Sequence, residues 1–346
     1  MACLTEAFRQ AGHEAHLAVL RPAGAYEARL RAAGVVLHVL RHAGHHDPRI
    51  HTQLAALARR LRPAVVQTWL PLMDIAGGLA ALRAGVPWVL SERNSAPGYP
   101  PTLKNRARRW LGRRAAAVVA NSTAGLDYWR HTGSEPCTLR LIPNAIARAA
   151  IDAAPPVDLA AEGVAAGRPV LLYVGRLEES KNLALLVEAL AQPALLGRVT
   201  AVCCGEGPAR GAIEALAAER GVAADLRLLG KRDDVWSWMK RAAVFTSPSR
   251  HEGMPNAVVE AMTSGCPIVV SDIPSHREIL DTVSARFVSP DDPAALAAAV
   301  AGLLANRPQA EALGQAARAR AAQWSVEASM EAYLALYREL APGAAR

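Results

Sequence analysis

The chain has 346 residues, 51% of them apolar and 20% charged, enough apolar material for two packed cores and too much for a disordered chain. Its net charge of +8 is unevenly placed: residues 1–150 hold 20 Lys and Arg against 8 Asp and Glu, and residues 151–346 hold 19 against 23. A basic half beside a mildly acidic one points to two bodies with different partners, one of them anionic. Only four of the 39 cations are lysines, and guanidinium suits phosphate. The five cysteines, Cys3, Cys137, Cys203, Cys204 and Cys266, lack metal-ligand spacing, which predicts reduced thiols in a cytosolic chain rather than a disulfide or zinc scaffold. The opening residues reach charge at Glu6, too early for a signal-peptide pattern. The longest apolar tract, 63–82, is broken by Gln67, Pro71, Asp74 and the Gly77-Gly78 pair, so it reads as strand, loop and helix rather than a membrane span.

Short runs rich in Val, Leu and Ile alternate with longer stretches of helical period. Strands are predicted near 16–20, 35–40, 65–68, 88–91, 117–120 and 139–143, then near 170–174, 199–204, 226–229, 244–246 and 268–271. Runs apolar throughout are buried on both faces, and the helices between them make the sheets parallel. The pattern is a doubly wound α/β domain, twice over. Residues 1–147 form the first domain and 170–323 the second. The Pro- and small-residue-rich stretch 148–169 reads as a loose linker. An amphipathic helix at 324–340, with Met330, Tyr333, Leu334 and Tyr337 on one face, is predicted to carry 324–346 back onto the first domain.

The second half places its candidate chemistry just after strands, where open parallel sheets bind ligands. After 171–174 come Gly175, Arg176, Lys181 and Asn182. A glycine turn and two cations near a helix start suit a diphosphate, or an ordinary surface loop. After 199–204, Gly205-Glu206-Gly207-Pro208 permits close backbone approach. After 244–246, Glu252-Gly253-Met254-Pro255-Asn256 leads into a helix bearing Glu260. Both carboxylates can face one cavity and accept sugar hydroxyls, while the helix N-terminus can hold an anion.

Together these loops resemble the donor half of family 4 glycosyltransferases, which are retaining enzymes of the GT-B fold: two Rossmann-like α/β domains facing a cleft. The similarity rests on Gly175-Arg176-Leu177-x-x-x-Lys181-Asn182, on Gly205-x-Gly207-Pro208, and on Glu252-Gly253-Met254-Pro255-Asn256-x-x-x-Glu260. The segment Ile142-Pro143-Asn144 and the last helix extend it over nearly the whole chain. By that resemblance Arg176, Lys181 and Glu252 carry the catalysis. The cations hold the donor diphosphate, and Glu252 contacts the hexose beside the reacting carbon. Glu260 takes the ribose hydroxyls. Gly175, Gly205, Gly207, Lys231, Gly253, Met254, Pro255 and Asn256 complete the donor site. The implied co-substrate is a nucleotide sugar, a UDP-sugar for preference. No Asp-x-Asp occurs in the chain, so metal-independent transfer is expected.

The segment Ser91-Glu92-Arg93-Asn94 resembles a variant found in members that build lipid-linked or envelope oligosaccharides. It makes Glu92, Arg93 and Asn94 the acceptor-side candidates, although relatives often carry a His in this segment and this chain has none. Where relatives often read Trp-x-x-His-x-Asp, this chain has Leu72 between Trp69 and Asp74. Lys104, Arg106, Arg108, Arg109, Arg113 and Arg114 lie on one predicted helix with Leu103, Trp110 and Leu111. They suit an anionic membrane surface or a polyprenyl diphosphate, or simply a solvated helix face; nothing beyond charge suggests nucleic acid. The group His42, His45, His46, Asp47 and His51 reads as an exposed loop rather than a metal site, and Asp233-Asp234 and Asp291-Asp292 as helix caps.

The reading is a cytosolic, peripherally membrane-bound transferase of hexosyl or N-acetylhexosaminyl groups onto a glycan, with a lipid-linked acceptor. A GT-B epimerase or hydrolase, or a non-catalytic nucleotide-sugar-binding scaffold, are the alternatives. Relatives begin with a strand and a Gly-Gly loop ahead of the first helix seen here, so about 20 residues and the first strand of domain one are expected to be missing.

Overall fold

The computed structural model describes residues 1–346 except 23, 25, 45, 46, 96, 97, 132–137, 345 and 346. The chain divides into two compact units, 1–145 with 324–346, and 146–323. In unit 1 the strands are β1 (His16–Val19), β2 (Val36–Val39), β3 (Val66–Trp69), β4 (Trp88–Glu92), β5 (Ala117–Ala120) and β6 (Leu139–Leu141). Its helices are α1 (Ala2–Gln10), α2 (Tyr26–Ala32), α3 (Arg49–Leu61), α4 (Pro71–Ala84), α5 (Leu103–Gly112) and α6 (Thr123–Arg130). Unit 2 has strands β7 (Val170–Val174), β8 (Thr200–Cys204), β9 (Leu226–Gly230), β10 (Val244–Ser247), β11 (Ile268–Ser271) and β12 (Arg286–Val288). Its helices are α7 (Arg148–Ala153), α8 (Leu183–Leu190), α9 (Arg210–Glu219), α10 (Val235–Met239), α11 (Asn256–Thr263), α12 (Pro274–Ile279), α13 (Pro293–Ala305) and α14 (Arg307–Ala321). The last helix, α15 (Val326–Leu340), belongs to unit 1.

All eleven strands read from the sequence form. The twelfth, β12, was not read: three residues including Arg286 make too short an apolar run. Unit 2 is one parallel sheet in the order β12-β11-β10-β7-β8-β9. The chain winds outward from β7 to β9, then returns to the other side of β7 for β10 to β12, so the topological switch lies between β7 and β10. Leu171, Tyr173, Leu186, Val187, Cys203 and Val300 pack the core between this sheet and its helices.

Unit 1 departs from one continuous sheet. β1 and β2 pair with each other alone, while β3-β4-β5-β6 form a separate parallel sheet. β4 and β5 are buried along their whole length. The helix α4 lies close to them because Gly77 and Gly78 carry no side chain: a Cβ on Gly78 would sit 2.3 Å from the Trp88 ring. On the other face, Tyr333 and Leu336 of α15 pack with Leu4, Val89, Val119 and Ile142. The last helix thus docks on the first unit as its apolar face predicts, with Leu336 rather than Leu334 as its second anchor.

The stretch read as a loose linker is neither loose nor between the units. Residues 148–169 belong to unit 2; Ile151 is fully buried and Val164 nearly so. Asp152 pairs with Arg318, and Lys240 Nζ donates to the carbonyls of Asp152 and Ala154. Small residues and prolines here fit a close-packed surface turn as well as a flexible tether, which composition alone does not separate.

Candidate active site

The carboxyl ends of β7 and β10 are neighbours at the switch, and the loops that leave them meet. Lys181 Nζ donates to both carboxylate oxygens of Glu252 at 2.7 Å, and Ser249 Oγ donates to Glu252 Oε1 at 2.8 Å. Both partners are mostly buried, so the pair is screened far less than a surface ion pair. The loops are tied at the backbone where Arg250 N donates to Ser180 O, and by Asn182, whose Nδ2 donates to Pro248 O and Pro290 O. Asn182 has φ 56°, a left-handed conformation that asparagine tolerates. Arg176 is different: its side chain is 76% exposed and donates to Glu178 at 2.9 Å.

Behind Glu252 lies a buried hydroxyl and imidazole chain that the sequence motifs did not reveal. Ser271 Oγ donates to Ser249 O, and the fully buried His276 holds Ser271 O from Nδ1 at 2.8 Å. Burial keeps His276 below its usual pKa, so the ring is neutral with its proton on Nδ1.

Gly205 and Gly207 are glycines for a reason other than room for a ligand. Gly205 has φ 155°, and a Cβ there would come within 1.8 Å of Gly175 O; one on Gly207 would come within 2.2 Å of Leu177 O. Backbone bonds from Gly175 N to Cys204 O, Leu177 N to Glu206 O and Ala209 N to Leu177 O stitch the two loops together. Lys231, just after β9, is exposed at the same carboxyl edge.

Gly253, Met254 and Pro255 lead into α11, whose first residue, Asn256, is exposed. Glu260 lies one turn in, on the helix flank beside Trp236 of α10. Burial pushes its carboxyl up to about 7, against a weaker opposing pull from Trp236.

In unit 1, the loop after β4 is anchored by a charged cluster. Glu92 is fully buried. Its Oε1 accepts from Arg93 N, Asn94 N and Tyr99 OH, and its Oε2 from Arg108 and Trp129 Nε1. Arg108 also donates to Asp74 at 2.7 Å, and Asp74 accepts from Thr68. Desolvation raises Asp74 to about 6 although Arg108 opposes it. Two sequence expectations are corrected here. Glu92 is no acceptor contact, since its carboxylate is enclosed and saturated; it shapes the loop that presents its neighbours. Arg108 is no part of a surface patch, since it is 1% exposed between two carboxylates.

Arg93 and Asn94 do reach a cavity of about 250 Å³, shared with Leu70, Tyr99 and Asn105. Arg93 also donates to Asn144 Oδ1 and, at 3.0 Å, to Tyr333 OH. Of the remaining patch, Lys104, Arg106, Arg113 and Arg114 are exposed and Arg109 half-buried. Leu103 and Trp110 stand out beside them at 81% and 57% exposure, with Arg114 stacked on Trp110 at 3.8 Å.

The histidine-rich loop is spread over separate contacts. His42 meets Leu20 O, Asp47 pairs with Arg49, and His51 meets Ala76 O; His45, His46 and also Cys137 lie outside the described residues. Asp292 caps α13 through Ala295 N as expected. Asp234 pairs with Arg232 instead, and Asp291 with Arg250.

Two parallel-sheet α/β units, the second doubly wound with a cation–carboxylate pair at its switch, define a Rossmann-like protein built to bind ligands at strand carboxyl ends. The family described as Glycosyltransferase Family 4 matches residues 1–149, and that described as Glycosyl transferases group 1 matches 168–306. The chain belongs to glycosyltransferase family 4, and its fold is GT-B. EpsF of Bacillus subtilis is 34% identical over 56% of this chain, and the match spans 53% of EpsF, about half its length. The lipopolysaccharide core mannosyltransferase LpcC of Rhizobium leguminosarum is 27% identical over 67% of each chain. Among solved structures, Anabaena HepE with UDP-glucose superposes with a TM-score of 0.85 at 20% identity, covering 97% of this chain and 95% of that one. Sucrose-phosphate synthase of Thermosynechococcus elongatus gives 0.84 at 22%, covering 97% and 91%.

Proposed function

We propose that the protein is a retaining transferase that moves a hexosyl or N-acetylhexosaminyl group from a nucleotide sugar, UDP-linked for preference, to a lipid-linked glycan of the cell envelope. The observation that carries this reading is the buried Lys181–Glu252 pair at the switch between β7 and β10, with Arg176 on the same loop as Lys181. A departing nucleoside diphosphate gathers negative charge, and fixed cations in a partly dry site stabilise it. Glu252 occupies Lys181. A donor diphosphate would take over the ammonium and leave Glu252 to the sugar hydroxyls. Glu260, near neutrality in its pKa, would accept from the ribose. Attack on the face the nucleotide leaves would retain configuration at the anomeric carbon. The charge work falls to Arg176 and Lys181, with no metal step.

Several relatives support the donor and acceptor classes. The HepE structures hold UDP or UDP-glucose. A Campylobacter jejuni N-acetylgalactosaminyltransferase named for a diphospho-undecaprenol acceptor is 29% identical over 46% of this chain. On the acceptor side, Arg93 and Asn94 would meet the glycan in the cavity beside Tyr99. The exposed cations of α5 and those of Arg113 and Arg114 just beyond it, with Leu103 and Trp110, would hold the protein to an anionic membrane surface. Thermal-shift screening with UDP-, GDP- and dTDP-sugars tests the donor half. Stabilisation by one nucleotide class, lost in Lys181→Ala, is expected; no stabilisation by any would favour a scaffold.

A further inference from the structure

Three polar side chains of unit 2, those of Ser249, Ser271 and His276, are fully buried. Ser249 stands two residues beyond β10, Ser271 ends β11, and His276 is the third residue of α12. Burying two hydroxyls and an imidazole costs free energy that apolar side chains of similar size would not, so the reason for them lies in their bonds. Those bonds have a direction. His276 Nε2 has no hydrogen-bond partner among the described residues, and a proton there would be a buried donor without an acceptor. A proton on Nδ1 has Ser271 O at 2.8 Å, so Nδ1 is the donor. Nδ1 also lies 3.3 Å from Ser271 Oγ. A hydroxyl with a donor beside it turns its own proton elsewhere, here to Ser249 O, with Ser247 O a longer second acceptor at 3.4 Å. Ser249 Oγ in turn gives its proton to Glu252 Oε1 at 2.8 Å.

The chain therefore reaches Glu252 twice, through the loop backbone and at the carboxylate. Pro248 O accepts from Asn182, Ser249 O accepts from Ser271, and Arg250 N donates to Ser180 O. Three successive residues just ahead of Glu252 are thus tied to other elements, and the Ser249 hydroxyl carries that anchorage on to the side chain. Lys181 could not do this alone, because an ammonium on a flexible stem is a point charge with rotatable donors. A hydroxyl held on a pinned backbone fixes where the carboxylate oxygen lies. Its bond would also persist when a diphosphate draws the ammonium away.

We propose that Ser249, Ser271 and His276 are positioning residues that hold Glu252 in the orientation that meets the donor hexose, so that His276 governs recognition of the sugar without touching it. The proposal rests on the reading of Glu252 as the hexose contact. Holding a reacting group within a fraction of an ångström is the work of bonds behind it, and small losses there are felt in recognition and rate.

The experiment compares affinity for a nucleotide sugar with affinity for its free nucleotide: UDP-glucose against UDP and GDP-mannose against GDP, using the pair that the wild-type protein binds. Ser249→Ala and His276→Gln should each weaken the nucleotide sugar by about tenfold, with the free nucleotide within about twofold of wild type. His276→Asn, whose amide N–H stands where Nδ1 does, should regain most of that loss; the Gln amide stands where Nε2 does and should not. In a Glu252→Ala background, Ser249→Ala should cost nothing more, since the chain then has no carboxylate to hold. If His276→Gln does not fold, Ser271→Ala, which deletes only the middle hydroxyl, carries the same comparison. Equal weakening of sugar nucleotide and free nucleotide, an Asn variant no better than the Gln variant, or an additive loss without Glu252 would overturn the positioning role. So would unchanged affinities in Ser249→Ala and Ser271→Ala while the wild type binds its donor. A wild-type protein that bound neither nucleotide sugar nor nucleotide would instead overturn the reading of the site, and the positioning role with it.

Discussion

Two buried carboxylates in this protein sit well above the ordinary range, for the same physical reason and with different consequences. Glu260 is raised to about 7 by burial, so between about 4.5 and 7 the folded state holds a proton that the unfolded chain releases. Folding stability from this group therefore declines as pH rises through that window. Ribose hydroxyls donate best to an ionised carboxylate, so nucleotide affinity should rise over the same interval. Glu260→Gln should flatten both curves, measured as melting temperature and nucleotide Kd against pH. A mutant Kd that kept the wild-type slope would remove Glu260 from the ribose site. Asp74 and Glu92 share one cation, Arg108, inside unit 1. Arg108→Met would leave two carboxylates buried without it, a loss of about 3–5 kcal/mol. The damage should be greatest at alkaline pH and shrink as Asp74 takes up its proton in acid, so urea titrations at pH 8 and pH 5, chosen on the two sides of about 6, should differ in the size of the deficit.

At the scale of elements, the strands were legible because each run is apolar on both faces, as for 117–120 and 268–271, where every residue is buried. The loops after β7, β8 and β10 were legible because they follow those strands at fixed offsets. What the sequence hid is which member of a periodic set turns inward. Arg108 belongs to a run of cations on α5, and only Asp74 and Glu92, 34 and 16 residues distant, determine that it is buried. The chain Ser249, Ser271 and His276 was equally hidden, since it joins two loops and a short helix through side chains common in any turn. The exposed cations in and just after α5 are the ones to test. Lys104, Arg106, Arg113 and Arg114 changed together to Gln should weaken binding to vesicles with anionic lipid by about 1 kcal/mol per charge, with unit 1 still folded because Arg108 is untouched. Flotation that persisted unchanged would exclude α5 as the membrane contact.

At the scale of the whole molecule, net charge and ligand charge run in opposite directions. The second half of the chain carries four more acids than bases, yet the reading gives it a nucleoside diphosphate to bind. It can do so because the relevant field is local. Lys181 is largely withdrawn from solvent, and mobile ions at about 8 Å screening length act weakly on charges they cannot surround. The membrane contact proposed for the basic first half follows the other rule: exposed cations in and just after α5 would act on a surface through water and be screened in full. One titration separates the two. Raising salt from about 50 to 500 mM should reduce vesicle binding by orders of magnitude, whereas nucleotide affinity should fall only a few-fold, most of that through the exposed Arg176. Arg176→Ala should therefore lose most of the salt dependence of nucleotide binding, and Lys181→Ala should lose affinity while keeping the slope. A parallel collapse of both activities with salt would mean that the diphosphate is held by surface charge, and that the buried pair at the β7–β10 switch does not bind it.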